Sequence, residues 1–140
     1  MNNQNVDMFI LNKGNYFPDS ALLSIREKLM KCDDSYLSML LSARFKNPVT
    51  GLILSLGLGA YGIDRFYLGQ ITIGVIKLLL TFSFFVCYII LSFQDDPNLV
   101  LVCLLFIQVV GIIVWYIVDI FKVSNEIKNY NYLYLLTLLK

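Results

Sequence analysis

The sequence predicts an all-α membrane protein in which two short amphipathic helices precede a short glycine-rich helix and a long antiparallel transmembrane helical hairpin. Three observations carry this. Apolar residues make up 58% of the 140-residue chain, above the roughly 45–50% of a soluble domain. Two apolar stretches, residues 71–93 and 99–121, are 23 residues long each, and a helix needs about 20 residues at 1.5 Å each to cross a hydrocarbon core of roughly 30 Å. A third, 49–63, has only 15 residues and includes Gly51, Gly57, Gly59 and Gly62.

Residues 1–47 read as a polar lead. The Asn-rich stretch 1–15 has no basic region followed by an apolar core and a small-residue cleavage site, so it does not predict a targeting peptide. Pro18, Asp19 and Ser20 form a helix start, and Leu22, Leu23, Ile25 and Leu29 recur among charged residues, which predicts a helix over 19–31. Asp33, Asp34 and Ser35 offer caps for a second, in which Leu37, Leu40 and Leu41 fall on one face before Asn47 and Pro48 close it. A lead this short cannot bury its own core. Its apolar stripes are expected to rest on lipid headgroups, on a sister subunit or on the ends of the spans. Three domains follow: a soluble or interfacial lead at 1–47, a membrane domain at 48–121 and an interfacial tail at 122–140.

The link from Gln94 to Asn98 is acidic, lacks Lys and Arg, and contains Pro97, so it reads as a tight turn facing away from the cytoplasm. Arg44, Lys46, Arg65, Lys122 and Lys128 favour the cytoplasmic side. All five are satisfied if stretch 49–63 enters and returns; if it crosses, there are three spans and some of these charges lie outside. In either case an antiparallel hairpin returns Asp119 to the level of Ile71 and Gly74. Lys77 stands about 9 Å inward from Ile71 and Asp119 about 3 Å inward from Phe121, a difference that a snorkelling lysine covers. Asp64 and Arg65 arrive at the same end. The expected product is a clasp of two acids and two bases, Asp64, Arg65, Lys77 and Asp119, because an ionisable group in a span normally finds a partner or lines a wet path. A path would use Thr81, Ser83 and Gln108.

Gly51, Ser55 and Gly59 repeat at four-residue spacing, a smooth stripe for close helix packing against residues 71–93 or a second subunit. Gly69 and Gly74 extend it at the turn. Cys87 and Cys103 read as small packing residues, and Trp115, Tyr116, Tyr61 and Tyr67 as interface anchors. The tail from Asn125 is too short to cross. It reads as interfacial, although its alternating tyrosines also permit a strand or a contact with a sister chain.

Composition narrows the chemistry. Lys and Arg number 11, Asp and Glu 10, and the net charge of +1 provides no footprint for nucleic acid. There is no histidine, and the three cysteines lack CxxC spacing. No metal, cofactor or catalytic residue is therefore expected, and with neither a P-loop nor a GxSxG elbow an enzyme ranks last.

The run from Gly59 to Gly69, with Asp64, Arg65 and Phe66 at its centre, is followed by Gly74, Lys77, Leu78 and Leu79 and later by Trp115 and Asp119. This pattern resembles the TM2 domain family of small membrane proteins, over about residues 48–121. The resemblance implies an integral membrane protein with two helices joined near the DRF turn, and it favours a true crossing by the first stretch. It carries no settled activity. The chain departs from the short family pattern by an extension between Leu80 and Val114. The leading expectation is a non-enzymatic interaction or scaffold subunit that packs into a homo-oligomer or onto another membrane protein in the lipid bilayer, in the bacterial cytoplasmic membrane with the N-terminus inside. The alternative is a small channel or transporter component in which Arg65, Lys77 and Asp119 line a wet cavity.

Overall fold

The computed structural model describes residues 1–94, 96 and 98–139. Asp95 and Pro97, on which the tight-turn reading of residues 94–98 rests, lie outside the described residues. Among the described residues seven α-helices follow in order: α1 (Asn3–Lys13), α2 (Leu22–Met30), α3 (Tyr36–Ser42), α4 (Pro48–Leu58), α5 (Ile63–Leu68), α6 (Ile71–Ser92) and α7 (Leu99–Leu138). Single 3₁₀ turns stand at Gly14–Tyr16, Asp19–Ala21 and Gly59–Tyr61. The chain divides into two compact units, one of residues 1–50 with 124–140 and the other of 51–123.

In the first unit three helices, not two, precede the membrane segment. The additional one, α1, begins where the Asn2 side chain accepts the Asn5 N–H at 2.8 Å. It buries only Val6 and Phe9 among polar residues, which is why periodicity alone does not announce it. Ser35 makes no side-chain cap on α3; instead Tyr36 and Leu37 donate their backbone N–H to the carbonyls of Asp33 and Asp34. The core joins Val6, Phe9, Phe17, Ile25, Leu29 and Leu40 to Leu135, all fully buried. Phe45 meets Phe17 edge-on at 5.0 Å between ring centres and Tyr134 at 5.9 Å. The tail, read from sequence as interfacial, is thus the last part of α7, and it buries Ile127, Asn131 and Leu135.

Asn131 is the polar joint of this unit. Its amide donates to the carbonyls of Tyr16 (3.0 Å) and Lys46 (2.7 Å), and its carbonyl accepts the Lys46 N–H at 2.9 Å. Three backbone groups, one of Tyr16 and two of Lys46, are bonded by one buried side chain, as burial requires.

In the second unit, α6 and α7 are both long and apolar enough to cross a membrane. Their large side chains are exposed rather than buried, Phe82, Phe106 and Ile107 among them, opposite to the core helix of a soluble protein. α7 continues for 40 residues, about 60 Å at the helical rise, beyond the span read at 99–121. The first apolar stretch is α4 and its 3₁₀ turn, together Pro48–Tyr61, shorter than either span. Gly62 then reverses the chain with φ +79°, and Gly69 ends α5 with φ +88°, two left-handed positions that glycine adopts without strain.

Candidate functional site

The turn from α4 to α6 is built for close approach. A Cβ on Gly62 would stand 2.6 Å from the Gly74 carbonyl oxygen, so the turn lies directly on the α6 backbone. A Cβ on Gly74 would stand 2.8 Å from the Phe66 ring, whose outer side remains exposed. These contacts set six-residue α5 across the start of α6, with Asp64 and Arg65 turned inward.

Asp64, Arg65, Lys77 and Asp119 come together and are all at least 95% buried. Lys77 Nζ lies 3.3 Å from Asp64 Oδ2 and pairs also with Asp119 Oδ2. It donates in addition to the Gly59 carbonyl at 3.1 Å, which supplies three acceptors for an ammonium's three protons. Arg65 grips Asp119 from Nη2 and, at 3.3 Å, from Nε; its Nη1 donates to Gln70 Oε1 at 2.8 Å, and its Nε stands 3.6 Å from Asp64. Two acids and two bases cancel, so the cluster places no net charge in a medium that would penalise one. Trp115 covers one side, with Lys77 Nζ 5.9 Å from its ring centre, within cation–π range.

A second function of these side chains is not visible in the charges alone. The last carbonyls of a helix have no later turn of that helix to bond, and here they and those of the 3₁₀ turn that follows α4, where Gly59 already accepts the Gly62 N–H at 3.0 Å, take side-chain donors. Leu56 accepts from the Tyr116 hydroxyl at 2.7 Å, Gly59 from Lys77, and Ala60 from the Thr81 hydroxyl at 2.7 Å. Thr81, weighed from sequence as part of a wet path, is a cap. Gln108 donates to the Leu80 carbonyl at 2.9 Å and to Ser83 Oγ at 2.7 Å.

The small-residue stripe faces inward: Gly51, Ser55 and Gly59 are buried. At Gly59 the Tyr116 ring of α7 stands 3.4 Å from a Cβ there, and the Lys77 ammonium of α6 bonds its carbonyl at 3.1 Å. Tyr116 is therefore an internal contact. Ser55 Oγ is fully buried and has no hydrogen-bond partner among the described residues. Gly69 is exposed, and Cys103 stands on the outer surface rather than in packing. Beside Lys77, a cavity with about 10 Å³ open to the centre of a water is lined by Ala60, Thr81, Ile112 and Trp115, which is space for one water. Among the described residues no group of three metal-ligating side chains forms. The capping residues Thr81 and Tyr116, the Arg65 partner Gln70 and the buried Asn131 were not singled out as site residues from sequence. Only their polarity within or beside apolar runs marks them.

Residues 44–93 match the family model of the TM2 domain. The match holds α4, α5 and α6 with Asp64, Arg65 and Lys77. It ends before Trp115 and Asp119; the contact of Asp119 with Lys77 was expected from sequence, and its grip by Arg65 is a finding of the tertiary structure. No curated protein and no solved structure matches the chain.

Proposed function

We propose, for a chain with a TM2 domain at residues 44–93, a non-enzymatic membrane subunit that packs into a homo-oligomer or onto another membrane protein. The observation that carries this is the closure of the buried cluster: Lys77, Thr81 and Tyr116 are committed to carbonyls of α4 and of the 3₁₀ turn that follows it, and four charges neutralise one another. Such a cluster shapes a scaffold and leaves the outer apolar faces of α6 and α7 for association. Light scattering of the detergent-solubilised chain should then give more than one copy or a co-purifying partner, and a clean monomer would overturn the proposal.

The proposal includes a topology. Phe9 of the lead and Leu135 of the tail share one core, so the chain enters and leaves on the same side and the number of crossings is even. That supports α6 and α7 as an antiparallel hairpin with two crossings and α4 as a re-entrant helix. The Thr81 bond to Ala60 supports the same reading, because Thr81 is ten residues into α6, about 15 Å from Ile71 along the helix. The positive-inside rule then favours the cytoplasmic side of a bacterial cytoplasmic membrane for lead and tail. Cysteines introduced at exposed Asp33 and Asn98 should be labelled from opposite sides; labelling from one side would mean an odd number of crossings.

A channel or transporter component is the second reading, favoured by the water-sized cavity beside Lys77. Proteoliposomes that conduct protons or common ions, and lose conduction with Lys77→Met, would establish it in place of the first.

A further inference from the structure

We propose that the outer face of the α1–α2 pair docks onto the headgroup layer of the bilayer in which the chain is embedded, with Leu11 and Leu23 as the side chains that enter it. This rests on the membrane reading above. Leu11 is 84% and Leu23 77% exposed, against 39% for Met8 on the same helix as Leu11.

The two leucines belong to one surface. Asp7 of α1 and Arg26 of α2 form an ion pair of 2.9 Å, which brings those two helix faces side by side. Leu11 follows Asp7 by four residues and Leu23 precedes Arg26 by three, spacings that keep a residue on the same helical face one turn along. Both steps lead toward Gly14, which follows α1 and whose Cβ position is 3.9 Å from Leu22 Cδ2. The leucines therefore form a pair at that end of the two helices.

That end adjoins the apolar chain. Asn15 and Tyr16, next after Gly14, line one cavity with Pro48 and Val49, where α4 begins, and with Ser124 and Lys128 of α7. Lys13 lies there too, its ammonium 5.6 Å from the Tyr16 ring centre. A single exposed leucine is ordinary on a soluble surface. Two on one face, with lysines beside them and the entry of an apolar helix next to them, have the composition of a helix surface that lies in the membrane interface.

The test uses the whole chain in vesicles of phosphatidylcholine with phosphatidylglycerol, with Cys32, Cys87 and Cys103 replaced by Ser. An environment-sensitive fluorophore is attached through Leu11→Cys, Leu23→Cys, Asp33→Cys or Phe106→Cys, one at a time. The probes at 11 and 23 should lose intensity to lipids carrying a nitroxide next to the headgroup and resist aqueous iodide, whereas the probe at 33 should do the reverse. Equal iodide quenching at 11, 23 and 33 would overturn the proposal. Blue-shifted emission at 11 and 23 without lipid quenching would also overturn it, because a protein surface would then cover the leucines. The probe at exposed Phe106 reports the membrane reading separately: if mid-chain nitroxides do not quench it, that reading fails and takes this proposal with it.

Discussion

Asp119 accepts from two cations and Lys77 donates to three acceptors, so neither residue acts in a simple pair. Removing one member leaves an uncompensated buried charge, which costs about 3 to 5 kcal/mol. Lys77→Ala and Asp119→Ala should each lower stability by that order in detergent unfolding. Exchanging the charges, Lys77→Asp with Asp119→Lys, should restore only part of the loss, because the new ammonium at position 119 faces Arg65; strictly additive losses would mean that the side chains do not interact. Ser55 is the opposite case. Its hydroxyl is buried without a partner among the described residues, so Ser55→Ala should leave the melting temperature unchanged or raise it, within about 1 kcal/mol. At the polar end of the chain, the Asn5 side chain and the Asn2 backbone N–H donate to the Asp34 carboxylate and hold its pKa below the usual range. A carboxylate depressed by folding stabilises above its unfolded pKa, about 3.9, and that contribution fades as pH falls through the lowered folded value. The difference in melting temperature between the native chain and Asp34→Asn should therefore shrink on acidification.

Among the elements, α5 is set by the glycines at either end of it. Gly62 combines a left-handed φ with a Cβ position against the Gly74 carbonyl, so Gly62→Ala should destabilise by at least about 1 to 3 kcal/mol. Gly57 and Gly111 have nothing within 4 Å of a Cβ. Alanine there should be tolerated or stabilising by up to about 1 kcal/mol in the monomer, because it favours the helix. Thermal melts of the three variants check both statements. Gly62 and Gly69 were legible because unusual backbone conformations leave glycines in the sequence, whereas Asp64, Arg65 and Phe66, read as a turn, lie in helix α5. α1 was not, because two buried residues among asparagines make no recognisable stripe. The continuation of α7 was missed for a related reason: alternating tyrosines suit a strand as well as a helix, and only the buried faces of Ile127, Asn131 and Leu135 decide it.

At the scale of the whole molecule, Asn131 unites distant parts of the first unit. Asn131→Leu would remove three hydrogen bonds, those to the Tyr16 carbonyl and to the Lys46 carbonyl and N–H, at roughly 0.5 to 1.5 kcal/mol for each. Limited proteolysis should then cut residues 1–47 readily, while the ion pairs of residues 51–123, which share none of these bonds, keep that unit resistant. Equal sensitivity of native and variant chains would show that the lead is held by its apolar core alone.

Sequence by itself determined two helices long and apolar enough to cross a membrane, the short first helix and the charges that needed partners, because lipid sets a length and a polarity that residues either meet or fail. It also identified Lys77 and Asp119 as neighbours, since equal span lengths leave one register. Only the tertiary structure decided that Arg65 shares Asp119, that Tyr116 bonds the end of α4 and Thr81 the turn after it, and that the tail completes the core of the lead. Each depends on where a side chain meets a backbone group far away in the chain, and local pattern carries no record of such a meeting.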